Sequence, residues 1–302
     1  MKAIIILNPY ANRWGALKRK PEVEKVFQHA GIEYDLAVSE RAGHPIELAA
    51  EALKQGYNPI IAAGGDSTYN EVVNGIIQGS QSGAIDVNFG ILPLGTANDL
   101  ANNLGIPMEL PQAVNIISEG YTRQLDVCQV NDRFFVNNSA IGLETTVTVI
   151  QENMTKVSGV IRYLLATLVA IYKNPNWTMK LVWDDGVYEG PVKLVSIGNN
   201  ARTGGIFYTV PHADPFDGKL SFVYGTIEAR IEILRTLPKI LKKDKGNYIE
   251  HPKVHEIHTS HLRIHAEPST PAHTDGEIFA RAINDLEYSI HPQMLPILLP
   301  KI

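Results

Sequence analysis

The sequence predicts an α/β part followed by an all-β part, on three observations. Up to about residue 126, short apolar runs alternate with amphipathic stretches of helical period, which is the rhythm of repeated βα units and a mainly parallel sheet. After Tyr121 that rhythm gives way to short β-prone runs separated by turn residues. The stretch Ile60 to Ile77, reading IIAAGGDSTYNEVVNGII, fixes the character of the first part. A buried-type strand stops at two glycines, an acid and two hydroxyl residues follow, and a helical pattern begins at once.

Taken in order, MKAIIILNPY opens with an apolar run too short for a signal-peptide core and without a cleavage pattern, so it reads as the first strand, Lys2 to Leu7. Further strands are expected at Tyr34 to Val38, Pro59 to Ala63 and Phe89 to Leu92. Helices are expected at Pro21 to Ala30, Pro45 to Gln55, Tyr69 to Ile77, Ala97 to Asn103 and Pro111 to Ser118, several opening on a proline that fits a first helical turn. In such sheets ligands sit beyond the carboxyl ends of the strands, and three of these strands end in polar turns: Asn8-Pro9, Gly64-Gly65-Asp66 and Pro93 to Asn98.

The second part offers strands at Leu125 to Val130, Arg133 to Asn137, Met179 to Trp183, Lys193 to Ile197, Leu220 to Tyr224 and His261 to His265, with helical segments around Val157 to Tyr172 and Ile227 to Leu241. The domains expected are 1–126 and 127–290, with an apolar tail, 291–302, docking back on the first. Val160 to Tyr172 is the greasiest segment, but Arg162 interrupts it and it falls short of the roughly 20 residues a spanning helix needs. It reads as a core helix flanked by Lys156, Arg162 and Lys173, with a membrane-facing edge as the alternative.

Composition narrows the function classes. With 44% hydrophobic and 20% charged residues the chain folds, and its net charge of -5 without a basic block argues against nucleic-acid binding by counterion release. The single cysteine, Cys128, cannot form an internal disulfide and reads as a small buried apolar residue of a reducing compartment.

Gly64 and Gly65 let a ligand approach the backbone, and the N–H groups of the helix that follows point outward, so a phosphate fits this turn. Thr68 and Glu71 have the spacing of a capping box. Asp66 would repel phosphate unless it holds a metal or a sugar hydroxyl. LPLGTANDLA, beginning at Leu92, repeats the logic: Gly95 turns the chain and Thr96 can cap a helix with Asp99 three residues on, leaving Asn98 and Asp99 as ligand or metal contacts. Neither a GxxxxGK[ST] motif nor an early GxGxxG is present, so a nucleotide site would be of another type.

In the second part, Asp275-Gly276 alone reads as a hairpin turn. Asp214 and Asp217 stand three apart in a loop bounded by proline and glycine, a weak pattern for a hard cation. Five histidines between His251 and His265 show no tetrahedral zinc set and read as surface residues on strands.

GGDSTYNEVVNGI followed by LPLGTANDLA resembles the diacylglycerol kinase catalytic-domain family, which includes bacterial lipid kinases and sphingosine kinases. The likeness extends to Asn8-Pro9 with Gly15, to FVNNSAIG ending at Gly142, to Gly204-Gly205, to PHADPFDGKL ending at Leu220, and to Asp275-Gly276-Glu277. It implies a Rossmann-like nucleotide domain and a C-terminal β-sandwich with the active-site cleft between them. It implies ATP contacts at Asn8, Pro9, Tyr10, Ala11 and Asn12, at Ser39, at Gly65, Asp66, Ser67, Thr68, Tyr69, Asn70 and Glu71, and at Gly95, Thr96 and Asn98. Asp66 would join a metal and phosphate network. Glu277 would be the base that takes the proton of a lipid hydroxyl, with Asp275 the alternative as base or metal-network ligand. Asp214, Asp217 and the carbonyl of Lys219 would hold a structural Mg²⁺.

The expected activity is therefore transfer of the γ-phosphoryl group of ATP, with Mg²⁺, to diacylglycerol or a related lipid alcohol. The expected protein is cytoplasmic and peripheral to the membrane, without a transmembrane segment or nucleic-acid partner, and the resemblance leaves room for a homodimer. Two alternatives stand beside it. An NAD kinase shares the GGD turn, although LPLGTANDLA argues against it. A nucleotide-binding protein without catalysis is the other, because Ser67 replaces the third glycine of GGDGT and a Cβ is costly there if the position needs positive φ. Glu144, where the family often has aspartate, is a milder departure.

Overall fold

The computed structural model describes residues 2–80, 85–154, 157, 159–241 and 248–301; Lys156 lies outside them. The chain forms two compact units, Met1–Val127 with Pro292–Ile302, and Cys128–His291.

In the first unit the elements run β1 (Ala3–Leu7), α1 (Ala11–Lys18), α2 (Lys20–Ala30), β2 (Tyr34–Val38), α3 (His44–Lys54), β3 (Ile60–Gly64), α4 (Asp66–Gly79), β4 (Phe89–Pro93), α5 (Asp99–Asn103), α6 (Leu110–Glu119) and the start of β5 (Thr122–Val130). The strand order is β2-β1-β3-β4, every neighbour parallel. Strands β1, β3 and β4 are buried along their whole length, which is why they read as unbroken apolar runs rather than as alternating ones. Helices cover them, with α3 packed on α4 and α2 on α6. Ile297, near the end of the chain, lies beside Phe89 as a further parallel neighbour of β4, and Leu299 N–H donates to Tyr121 O.

Most expected elements are present within a residue or two. Two starts differ. The helix expected from Tyr69 begins at Asp66, because Gly65 is extended and already stands as its N-cap. The helix expected from Ala97 begins at Asp99, after Asn98 takes a left-handed conformation with φ of 48°. Helix α1 was not read from the sequence, and it is irregular: Asn12, Arg13 and Trp14 all have positive φ.

The second unit continues β5 and adds β6 (Arg133–Phe135), β7 (Asn138–Gly142), α7 (Leu143–Glu152), α8 (Gly159–Lys173), β8 (Trp177–Trp183), β9 (Gly186–Val192), β10 (Leu194–Gly198), β11 (Arg202–Thr203), β12 (Phe207–Tyr208), β13 (Leu220–Gly225), α9 (Arg230–Ile240), β14 (Val254–Thr259), β15 (His261–Thr274) and β16 (Glu277–Leu298), which carries on into the first unit. The strands follow the order β14-β13-β10-β7-β15-β16, with β8 and β9 extending from β15, and the recorded pairings here are antiparallel. In β8, Trp177, Met179 and Leu181 point inward while the residues between them are exposed, the alternation expected of a strand with one wet face. These side chains join Phe135, Phe222 and Tyr288 in the core of this unit, where Cys128 is also fully buried.

Helix α7 was missed because its run LETTVTVIQE is rich in β-branched residues, which favour strands by propensity. It packs on α8 through Leu143, Val147, Ala166 and Ala170. The histidine-rich strands hold paired rather than bare histidines: His261 meets Glu287 at 2.8 Å, His265 meets Asp285 at 2.7 Å, and His255 stacks on Tyr224.

Candidate active site

At the carboxyl ends of β1, β3 and β4 the three polar turns bond to one another. Asn8 donates from Nδ2 to Thr68 Oγ1 at 3.0 Å, and its Oδ1 accepts the Tyr10 N–H. Thr68 is fully buried, so its hydroxyl ties β1 to α4 rather than capping the helix. Glu71 is engaged elsewhere too, its Oε1 accepting the Gly43 N–H at 2.9 Å. The capping box read from Thr68 and Glu71 is therefore not formed, since the helix starts three residues earlier and both side chains reach across the sheet end.

The second turn is also held differently from the expected cap. Asn98 is buried; its Oδ1 accepts the Gly95 N–H at 2.9 Å while its Nδ2 donates to Gly95 O. Thr96 is exposed at the turn, with Oγ1 3.4 Å from Asn12 Oδ1. Asp66 supplies the cap that Thr96 does not, because its Oδ1 accepts the Leu100 N–H at 2.9 Å in the first turn of α5. The Tyr69 hydroxyl, buried under both turns, lies 2.9 Å from Gly64 O and 3.1 Å from Asn98 Oδ1.

Close approach explains two of the glycines. A Cβ on Gly95 would fall 2.4 Å from the Gly65 Cα, so the two turns touch through bare backbone. Ser67, in contrast, sits in the first turn of α4 and is not among the residues with positive φ, so its Cβ strains nothing. Pro9 lies in the turn after β1 and Ala11 opens α1, while Asn70 is inside α4, where its carbonyl accepts from Asn74 Nδ2. Ser39 is buried at the end of β2, its N–H donating to Leu7 O while its Oγ has no hydrogen-bond partner among the described residues. Tyr10 and Trp14 form an exposed edge-to-face pair with centroids 4.5 Å apart.

In the second unit the DGE motif is a two-residue hairpin turn. Asp275 and Gly276 both have positive φ, 45° and 85°, between the paired residues Thr274 and Glu277. The Asp275 side chain is buried and accepts three backbone N–H groups, those of Asn137 and Asn138 at Oδ1 and that of Val136 at Oδ2. Glu277, the first residue of β16, is exposed, yet its carboxyl is raised from its ordinary value, by partial desolvation first and then by the charge of Glu152.

The expected Mg²⁺ loop is a pair of Asx turns: Asp214 Oδ1 accepts the Phe216 N–H and Asp217 Oδ1 accepts the Lys219 N–H. Among the described residues no group of three or more His, Cys, Asp or Glu side chains could by itself hold a metal ion.

A buried cluster in this unit was not anticipated. An apolar cavity of about 90 Å³ lies under α8 and α9, lined by Tyr163, Ile171, Ile233 and Tyr248 among others. Glu144 borders it, accepting a hydrogen bond from Ser196 Oγ, and burial pushes its carboxyl up to about 7. His273, 3.9 Å away, is pushed down to about 4 by burial. The signal in the sequence was an acid two residues past the apolar end of β7, in the first turn of α7.

Comparison with known proteins adds to this geometry. Residues 2–130 match the model of the diacylglycerol kinase catalytic domain, and residues 138–299 match that of the YegS C-terminal NAD kinase beta sandwich-like domain. The chain belongs to the diacylglycerol kinase catalytic-domain family. Proteins named diacylglycerol kinase from Staphylococcus saprophyticus and Staphylococcus haemolyticus are 28% and 29% identical to it, each over 91% of this chain and over 88% and 82% of their own lengths. A crystal structure of a diacylglycerol kinase from Bacillus anthracis shares the fold, with a TM-score of 0.79 at 22% identity, covering 99% of this chain and 97% of that one. The expected class, an α/β nucleotide domain followed by a β-sandwich, is the observed one, and family membership makes the chain an ATP-dependent lipid kinase.

Proposed function

We propose that this kinase phosphorylates the free hydroxyl of diacylglycerol or a close lipid alcohol, with Glu277 as general base. The observation that carries the assignment is the division of labour in the hairpin: Asp275 is fixed by three backbone N–H groups, while Glu277 presents an exposed carboxylate of raised basicity. Asp275 is accordingly a positioning residue rather than the base. The acceptor oxygen attacks the γ-phosphorus, its proton passes to Glu277, and the bond from phosphorus to the bridging β-γ oxygen breaks as ADP leaves.

The nucleotide is assigned to the joined turns. Gly65, Ser67 and the first N–H groups of α4 receive phosphate oxygens, Gly95 and Thr96 close the second side, and Asn8 to Asn12 with Ser39 border the remainder. Tyr69, Thr68, Asn70, Glu71 and Asn98 act mainly by holding those turns in shape. Mg²⁺ fits this donor set, because an ion that keeps several waters needs only one or two carboxylates besides the phosphates, and Asp66 is the carboxylate at hand. When bound, it offsets phosphate charge. The exposed carboxylates of Asp214 and Asp217 with the Lys219 carbonyl supply hard oxygens for a second, structural Mg²⁺. The domain limits 1–126, 127–290 and 291–302, a cytoplasmic location and a homodimer belong to the same proposal.

The test is Mg-ATP labelling of a panel of lipid alcohols, with NAD in parallel. Labelled diacylglycerol, abolished in Glu277→Gln while the variant still binds ATP, is the expected result. Labelling that survives in Glu277→Gln removes the base assignment, and phosphorylation of NAD alone removes the acceptor.

A further inference from the structure

We propose that the outward faces of α8 and α9 form a docking surface that seats this kinase on an anionic lipid bilayer. The proposal rests on the lipid-acceptor reading for its purpose, though not for its test.

Helix α8 is apolar on two opposite faces. One face, with Ala166, Ala170 and Ile171, is buried in the unit, and Tyr163, Thr167 and Ile171 line the cavity. The opposite face carries Ile161, Leu165, Leu168 and Tyr172, spaced by four, three and four residues so that they fall on one stripe. All four are exposed, Tyr172 by 76%. Helix α9, in contact with α8, repeats the arrangement: Ile233, Leu237 and Ile240 line the cavity, while Ile231 and Leu234 are exposed. A soluble helix ordinarily carries polar residues on the side away from its core, so two adjacent helices with apolar outer faces mark a surface meant to be covered.

Charge identifies the cover. Arg230 and Arg235 flank the exposed apolar residues of α9, and Lys173 ends α8. The Arg230 guanidinium stands 5.6 Å from the centroid of the Tyr172 ring, which joins the two helices at their outer edge. The acid on α9, Glu232, is already paired with Lys253 and His251. The whole chain is anionic, with a net charge of -5, so an anionic surface attracts it only through such a local cationic face. Apolar stripes bordered by arginine and lysine are the chemistry of an interfacial helix lying in the headgroup boundary. A second copy of the chain fits less well, because a two-fold contact through this face would set the arginines of both copies against each other.

The experiment is sedimentation of the full chain, without nucleotide, with vesicles of equimolar phosphatidylcholine and phosphatidylglycerol or of phosphatidylcholine alone. Binding to the anionic vesicles, weakened by salt, is expected. The double variant Ile161→Glu with Leu168→Glu, both outward side chains, loses at least ~10-fold in partitioning. Arg230→Glu with Arg235→Glu, which leaves the apolar stripe intact, removes the preference for anionic over neutral vesicles. Phosphorylation of a detergent-dispersed lipid stays near wild type in both. Absence of vesicle binding by an enzyme active on dispersed lipid overturns the surface alone. Equal binding by wild type and variants overturns it too, as does a wild-type dimer that the first variant dissociates. Vesicle binding with no activity on any lipid overturns the acceptor reading and leaves the surface standing.

Discussion

Asp66 Oδ1 accepts the backbone N–H of Leu100 at 2.9 Å, so the acid that follows the first glycine turn caps the helix that follows the second. This gives the acid a structural duty apart from any metal. Asp66→Ala is expected to lower unfolding free energy by about 1 kcal/mol, the usual worth of an N-cap. Asp66→Asn, which keeps an acceptor oxygen, loses less. Denaturant titration measures both, and a turnover loss in Asp66→Asn out of proportion to its stability loss would isolate the metal and phosphate role.

Gly95→Ala tests the contact between the two turns. Its Cβ would lie 2.4 Å from the Gly65 Cα and 2.6 Å from Asn98 Oδ1, so backbone must move. A loss of at least ~2 kcal/mol is expected, with weakened ATP binding by calorimetry. Unchanged stability would show that the turns can separate freely.

Ser67→Gly separates two accounts of the altered GGDGT motif. Because Ser67 is helical with no positive φ, restoring glycine removes a better helix former and is expected to cost about 0.5 kcal/mol. Turnover should not rise. A large gain in turnover would mean that the serine hydroxyl obstructs the phosphate.

Raised basicity at Glu277 has a sign in the pH profile. A general base works only when ionised, so under the proposed role of Glu277 kcat/KM falls as pH drops through its raised pKa, at higher pH than an ordinary carboxylate would give. Neutralising the repulsion with Glu152→Gln should move that acid limb to lower pH. An unmoved limb would assign it to another group.

The buried pair of Glu144 and His273 predicts opposing stability slopes. Glu144 keeps a proton up to about 7 when folded but only to 4.5 in its ordinary state, so its contribution is full below 4.5 and is lost as pH rises through 7. That contribution is about 3 kcal/mol by the size of the shift. His273, held down to about 4 from 6.5, acts the other way, losing stability as pH falls through that range. Wild type should show a shallow profile between pH 4.5 and 6.5, where the two oppose. In Glu144→Gln the histidine acts alone, and melting temperature should fall clearly with acidification.

The sequence made the parallel strands legible because β1, β3 and β4 are buried on both faces and therefore unbroken in hydrophobicity. It also located the turns that matter, since glycine pairs and polar residues at strand ends have few other uses. How those turns are held could not be read. Thr68 and Glu71 have capping-box spacing, yet they bond to Asn8 and Gly43, which are distant in the chain. The true cap of α5, Asp66, lies 34 residues from its N–H. Local spacing reports local bonds, and these are tertiary. Helix α7 was hidden by its β-branched composition, and the buried Glu144 by the need to know which side chains surround it. The double role of Asp-Gly-Glu was half visible: Asp275-Gly276 is the hairpin turn its residues suggest, and the same turn presents Glu277.

Cys128 has a use that none of these roles requires. It is the single thiol of the chain, sealed in β5 opposite Phe135 at the start of the second unit. A thiol reagent in solution can reach it only when that strand opens, so the labelling rate under native conditions reports how often the β core breathes. The wild-type chain thus carries its own clock for local opening, readable without adding a dye site or removing a residue.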